Sequence, residues 1–309
     1  MPTSIRITAV QAAPKLFDPV ETEALFEHWL TRAAKDGADL VVFPDSFLGG
    51  YPKGVDFGAR VGSRDAAGRE LFRRYFECGY DRAGEAFARI RSLVADAGVN
   101  VVTGIMEQVG GTLYCSAATI ARDGALAGWH RKLVPTAMER IIWGQGDGST
   151  IAAAQTDIGT VGTAICWENY MPLLRTHLYG QGTQIYAAPT VDDRDQWQPT
   201  MQMIALEGRC FVVSACQYMT RADVADDVDY DAIQGGEPGT VLIRGGSTII
   251  SPFGEVLAAS TYGEAGLVSA EIDLAEIGRA KFDLDVTGHY ARPDVFRLEV
   301  DTTARILNG

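Results

Sequence analysis

Val161-Gly162-Thr163-Ala164-Ile165-Cys166-Trp167-Glu168-Asn169 runs from an apolar, strand-like stretch into a polar turn, and residues 171–180 beyond it carry helical spacing. Cys166 therefore stands where a strand ends and a helix begins. Unsatisfied backbone N–H groups at such a junction favour a thiolate and lower the thiol pKa. They also stabilise negative charge developing on a substrate atom. Most free cysteines, however, are small buried core residues. Position alone leaves Cys166 open to both readings, whereas Cys210 and Cys216 sit in or beside a strand and read as core.

Working outward, strands and helices alternate. Residues 5–11, 39–43, 100–105 and 112–120 have strand character, with Asp123-Gly124 as a turn signal after the last. Residues 21–35 have helical spacing, and helical patterning resumes after a polar, Gly-rich stretch (49–67) and runs to about 97. On the far side of Cys166, residues 184–188, 211–216, 247–251, 255–259 and 267–272 predict strands, and 197–208 a helix. No linker divides the chain and no internal repeat is visible, so one domain over 1–309 is expected.

Composition narrows the function. Hydrophobic residues make up 47% and charged residues 22% of 309, which suits a globular α/β protein with a sizeable core. A net charge of −13 repels phosphate backbones and anionic membrane surfaces, so neither nucleic acid nor membrane is an expected partner. No run approaches the roughly 18 apolar residues of a membrane helix, and residues 1–10 alternate like a strand, unlike a signal peptide. Five cysteines (Cys78, Cys115, Cys166, Cys210, Cys216) form no CxxC pair and read as reduced cytosolic thiols, four of them packing residues. Residues 221–239 gather Asp223, Asp226, Asp227, Asp229, Asp231 and Glu237 without the spacing of a calcium loop, and read as a solvated surface loop.

A thiol nucleophile needs a base or a cation. The histidines are His28, His130, His177 and His289, and His28 and His177 fall in helical stretches without special context. Another cationic candidate lies in His130-Arg131-Lys132-Leu133-Val134-Pro135-Thr136, where one of the two basic side chains is expected to point inward.

These residues resemble the nitrilase superfamily, and specifically its true nitrilase branch. Three separated motifs carry the likeness: Phe43-Pro44-Asp45-Ser46-Phe47-Leu48-Gly49-Gly50-Tyr51-Pro52; the His130–Thr136 run with Glu139-Arg140 and Trp143-Gly144-Gln145-Gly146-Asp147-Gly148; and Cys166-Trp167-Glu168-Asn169-Tyr170-Met171-Pro172-Leu173. Weaker matches at 204–212, 245–247 and 288–296 extend it over nearly the whole chain. The resemblance implies a four-layer α-β-β-α sandwich and a Glu–Lys–Cys triad with a second glutamate. It implies no cofactor and no metal. It also implies a homodimer or higher homo-oligomer of spiral form, and a small-molecule nitrile as substrate. By position Cys166 is then the nucleophile, Lys132 the lysine and Glu139 the second glutamate, while Asp45 stands where the family has its first glutamate. Tyr51, Trp167, Thr136, Pro189, Thr190 and Val191 are pocket candidates by motif neighbourhood.

The implied reaction turns a nitrile into a carboxylic acid and ammonia through a cysteine-bound thioimidate and thioester. Alternative readings are an amidase or carbamoylase of the same superfamily, or a weakly active or inactivated homologue. The last arises because aspartate is one methylene shorter than glutamate, roughly 1.5 Å of reach, and a misplacement of about 1 Å costs on the order of a hundredfold in rate. A misplaced base also leads one to expect some amide beside the acid.

Overall fold

The computed structural model describes residues 4–228, 230 and 232–305. The start of the alternating N-terminal stretch (1–3), and Asp229 and Asp231 of the acidic loop, lie outside the described residues. In chain order the first half comprises β1 (Ser4–Gln11), α1 (Pro19–Lys35), β2 (Leu40–Val42), α2 (Ala66–Phe76), α3 (Glu85–Ala97), β3 (Asn100–Val109), β4 (Thr112–Ile120) and β5 (Leu126–Arg131). The second half begins with β6 (Ala154–Thr156), β7 (Gly159–Thr163), α4 (Pro172–Gly180), β8 (Ile185–Ala187), α5 (Trp197–Gly208) and β9 (Phe211–Ser214). It ends with β10 (Tyr218–Thr220), β11 (Val241–Arg244), β12 (Thr248–Ile250), β13 (Val256–Ala259), β14 (Gly266–Asp273) and α6 (Ala275–Asp283).

Two six-stranded sheets result, in the orders β14-β1-β2-β3-β4-β5 and β13-β12-β9-β8-β7-β6, with β10-β11 as a separate ribbon. Each sheet has a parallel trio at its centre, β1-β2-β3 in one and β7-β8-β9 in the other, with antiparallel strands outside. The halves thus share a layout that their sequences do not display as a repeat.

Side-chain alternation sorts the layers. Ile5, Ile7, Ala9, Leu40, Val42 and Val102 of the first sheet pack against Val161, Ile185, Ala187, Phe211, Val213 and Ile249 of the second. The intervening residues face outward: Val10, Val41 and Val101 meet Phe26, Leu30, Ile90 and Val94 of α1 and α3. On the other side Tyr186 and Val212 meet Leu174, Leu178, Met201 and Ile204 of α4 and α5. The expected α-β-β-α sandwich is therefore the observed one.

The helix expected to run to residue 97 is two, α2 and α3. Between them the backbone of Tyr80 donates to Met106 and accepts from Gln108, adding a short bridge along β3 that a helix cannot make. That bridge also accompanies the longer course of β3, which reaches Val109. The ribbon β10-β11, the short β6 and the C-terminal α6 were not foreseen. Their apolar patterning is too brief to separate from loop. The described part of the acidic loop is a paired surface: Lys15 meets Asp226, Arg74 meets Asp227, and Asp223 accepts from the Thr220 N–H and hydroxyl.

Candidate active site

Three loops at the ends of strands bring the motif residues together. The first leaves β2 through Phe43-Pro44-Asp45-Ser46 and lies flat on β3. Gly104 makes this close approach possible, since a Cβ there would sit 2.3 Å from the Ser46 nitrogen and 2.4 Å from the Pro44 oxygen. The second follows β5 and carries Lys132. Its carbonyl accepts from the Gly146 N–H at 2.8 Å, an approach that a side chain at Gly146 would block. The third follows β7 and is the Cys166 turn.

Lys132 is almost fully buried and its ammonium donates to Glu139 Oε2 at 2.8 Å. Glu139 is fixed from two further sides: its Oε2 accepts the Thr136 N–H at 2.6 Å, and Oε1 accepts the Tyr51 hydroxyl at 3.0 Å. Tyr51 packs edge-on against Trp143. Arg131 is buried too, so both basic side chains point inward where one was expected. Arg131 forks onto Glu107, which also accepts from Ser116 and Trp129. That network braces β3, β4 and β5 beneath Lys132.

Asp45 is fully buried. Its Oδ1 accepts the Ser46 hydroxyl at 2.8 Å and the Cys115 thiol at 3.1 Å, while Oδ2 has no partner among the described residues. Burial raises the Asp45 pKa, with Lys132 pulling against it and Glu139 adding to it. Cys115 packs in the buried cluster as its sequence suggested, and its thiol is in addition a hydrogen-bond donor to Asp45.

Cys166 is buried, with φ at 48° in the left-handed region, and Ser46 beside Asp45 is similar at 49°. Such backbone costs on the order of 1–2 kcal/mol for a residue with a Cβ. At Cys166 it is held by the N–H bond to the Pro189 carbonyl at 2.8 Å and by Asn169, whose Nδ2 donates to the Cys166 carbonyl at 2.8 Å. Thr190 donates its hydroxyl to the sulfur at 3.3 Å, and Val191 packs in the same cluster. Residues 166–170 form a short 3-10 turn, with α4 starting only at Pro172. The expected lowering of the thiol pKa does not hold in the resting site. Burial pushes Cys166 up to about 11, Lys132 opposes that rise, and Asp45 and Glu139 reinforce it.

Histidine supplies no partner to the thiol. His28 and His289 lie on the surface beside Trp29 and Tyr290, and His177 bonds the Ile151 carbonyl. His130 bonds Glu168 at 2.9 Å.

Glu168 is the structural residue that sequence reasoning missed, although Cys166-Trp167-Glu168-Asn169 was in view. Its carboxylate accepts the N–H groups of Ile165 (2.9 Å) and Leu133 (2.7 Å), tying the thiol turn to the lysine loop. Burial alone raises its pKa, but His130 and those two N–H groups outweigh it and the net shift is downward. A carboxylate with a depressed folded pKa lends stability above its unfolded pKa and loses it as pH falls. Glu168→Gln should therefore cost about 3 kcal/mol near neutrality and flatten the acid-side decline of stability. Denaturant unfolding at a series of pH values from 7 to 3 checks both.

Trp167 stands apart. It is 42% exposed, its indole donates to Asp192 at 2.8 Å and Arg194 covers its ring. A cavity of about 260 Å³ opens beside the cluster, lined by Tyr51, Glu139, Phe57, Ile142, Met138 and Ile233 among others. Of the expected pocket residues only Tyr51 lines it; Thr136, Pro189, Thr190 and Val191 instead hold Glu139, Cys166 or their surroundings. Among the described residues no group of three or more His, Cys, Asp or Glu is arranged to hold a metal, and no helix is long and apolar enough to cross a membrane. All five cysteines are free thiols.

The carbon-nitrogen hydrolase family model matches residues 6–282. A nitrilase of Bradyrhizobium diazoefficiens is 50% identical over 304 residues, covering 97% of this chain and 93% of its own. A bifunctional nitrilase/nitrile hydratase of Lupinus angustifolius is 49% identical over 301 residues, covering 96% and 86%. Among solved structures, a carbon-nitrogen hydrolase of Helicobacter pylori shares the fold with a TM-score of 0.72 at 20% identity, covering 95% of this chain and 97% of its own. The chain belongs to the carbon-nitrogen hydrolase family and is an enzyme that hydrolyses carbon–nitrogen bonds.

Proposed function

We propose that the chain, acting as one catalytic unit over 1–309, is a nitrilase that converts an organic nitrile to a carboxylic acid and ammonia with Cys166 as nucleophile. One observation carries the reading: the charges of Lys132, Asp45 and Glu139, with Lys132 and Glu139 paired, all act on the buried Cys166 thiol. A neutral resting thiol calls for a base during attack, and Asp45 Oδ2 is unoccupied for that purpose. The raised pKa of Asp45 brings it closer to that of the thiol and favours the transfer.

Sulfur attacks the nitrile carbon as its proton passes to Asp45. The nitrogen becomes anionic, is stabilised by the Lys132 ammonium in a water-poor site, and takes the thiol proton on from Asp45, which leaves a thioimidate and a free Asp45 carboxylate. Asp45 then removes a proton from a first water, which adds to the thioimidate carbon, and hands that proton to the nitrogen. As the C–N bond breaks the remaining hydroxyl proton passes to the leaving nitrogen by the same carboxylate, and ammonia leaves a thioester. A second water releases the acid and restores the thiol. Glu139, held by Tyr51 and the Thr136 N–H, keeps Lys132 charged and aimed.

The apolar cavity beside Glu139 supports a nitrile with a hydrocarbon tail as substrate. The similarity to a relative named both nitrilase and nitrile hydratase supports measuring the amide. The homo-oligomer expected from the resemblance remains part of this proposal. It is supported by Leu173 of α4 and Met203 of α5, which lie exposed. The test is a panel of aliphatic, aryl and arylaceto nitriles and their matching amides, with acid, amide and ammonia quantified. Acid and ammonia from apolar nitriles, with amides turned over far more slowly, is the expected result. Amides consumed as fast as nitriles would make it an amidase, and no turnover of either would make it an inactive homologue.

A further inference from the structure

Cys115 is a buried thiol that the reaction just described does not use. It lies on β4, opposite Met106 of β3, and touches two parts of the cluster at once. Its Sγ donates to Asp45 Oδ1 at 3.1 Å, and its backbone carbonyl accepts the Lys132 N–H at 2.8 Å. The Ser46 hydroxyl, 3.8 Å from the same sulfur, donates to the same Oδ1 at 2.8 Å. Both donors therefore crowd one oxygen of a fully buried carboxylate and leave Oδ2 with no partner among the described residues.

From this arrangement we infer that Cys115 is a positioning residue for Asp45. With Ser46 it clamps Oδ1, so that the shorter aspartate side chain presents Oδ2 alone to the reacting thiol. The inference rests on the nitrilase reading above.

Chemistry favours a thiol in this role. Burial and the nearby Asp45 carboxylate hold the Cys115 pKa well above that of an ordinary thiol, so the proton stays on sulfur and the residue remains a donor. A thiol is a weak donor, which steadies the carboxylate without disabling it as a base. The backbone carbonyl of Cys115, through the Lys132 N–H, ties the strand that carries Cys115 to the start of the lysine loop. Movement of β4 would then displace Asp45 and Lys132 together.

The charged and titratable groups that act on Asp45 or are acted on by it are Lys132, Glu139, Tyr51, Cys115 and Cys166. Of these only Cys115 is altered in the variants whose acid limbs are compared. Removing its S–H withdraws a bond that favours the Asp45 anion, so the Asp45 pKa rises further. If the anion is the active form, activity falls as pH drops through that pKa, and the acid limb of kcat/KM moves upward.

The experiment compares the full-length wild type with Cys115→Val, Cys115→Ser and Cys166→Ala, measuring kcat and KM for an apolar nitrile across pH 5 to 9. The valine variant keeps the bulk and loses the donor. The expected result is a kcat loss of about tenfold with an acid limb displaced to higher pH and KM little changed. Cys115→Ser keeps a donor and should restore the acid limb, even if its shorter reach leaves kcat lower. An acid limb that coincides in wild type and Cys115→Val, or equal losses in Val and Ser with no displacement, would overturn the inference and leave Cys115 as packing. Variants that fold poorly are recognised by thermal unfolding, and the acid limb is still read from the active fraction because it does not depend on enzyme concentration. Undiminished turnover by Cys166→Ala would instead overturn the nitrilase reading itself, so the two failures are separable.

Discussion

Replacing Cys166 with alanine should lower nitrile turnover by on the order of 10⁴-fold or more, because no neighbouring group can take over covalent attack. Binding and the charge of Lys132 remain, but they act on a step that no longer occurs. The fold should survive. The change removes one buried sulfur, at a cost of about 1 kcal/mol, and leaves the backbone bonds of the turn to Pro189 and Asn169 in place. Cys166→Ser should be nearly as inactive. A serine hydroxyl is harder to ionise than a thiol already held at about 11 by burial. Steady-state assays beside thermal unfolding separate lost chemistry from lost structure.

The second large effect concerns Asp45. Asp45→Asn keeps the size of the side chain and removes the ability to accept the thiol proton, so turnover should fall by about 10³-fold. Asp45→Glu should keep or raise activity. It restores the missing methylene, and among the described residues Oδ2 has no partner whose bond the longer side chain must break. The opposing term is crowding. The residue is fully buried, and an extra methylene in a packed site costs about 1–3 kcal/mol. The account therefore predicts a glutamate variant with lower stability and equal or greater kcat, read from the same pair of assays. An asparagine variant as fast as the wild type would remove Asp45 from the chemistry.

Much of this architecture was legible because short-range signals pointed the same way. The alternation in residues 5–11 and the apolar run ending at Ile165 became β1 and β7 with little change in bounds. The pairing of those strands into two sheets was not visible in local patterning and came from the resemblance alone. Lys132, Glu139 and Cys166 were assigned through their motif positions; Lys132 pairs with Glu139, and the Cys166 sulfur is buried beside Thr190. What escaped the sequence was long-range or conformational. Nothing near Cys115 in sequence signals Asp45, seventy residues away. The positive φ values of Ser46 and Cys166 occur at residues that rarely adopt them. Glu168 was read as part of a recognition string, whereas its carboxylate joins two loops. The thiol pKa was misjudged because a junction between strand and helix was assumed to expose backbone N–H groups to the sulfur. In the fold the turn is 3-10, the sulfur is buried, and desolvation dominates.

Covalent capture at one sulfur is the claim on which all the chemistry depends. Acid-quenching the enzyme during steady-state turnover of an apolar nitrile, followed by peptide mass analysis, tests it directly. The predicted product is an acyl or imidoyl mass increment on the peptide carrying Cys166 and on no other cysteine peptide. An increment on a different residue, Cys115 included, while Cys166 stays unmodified, would contradict it.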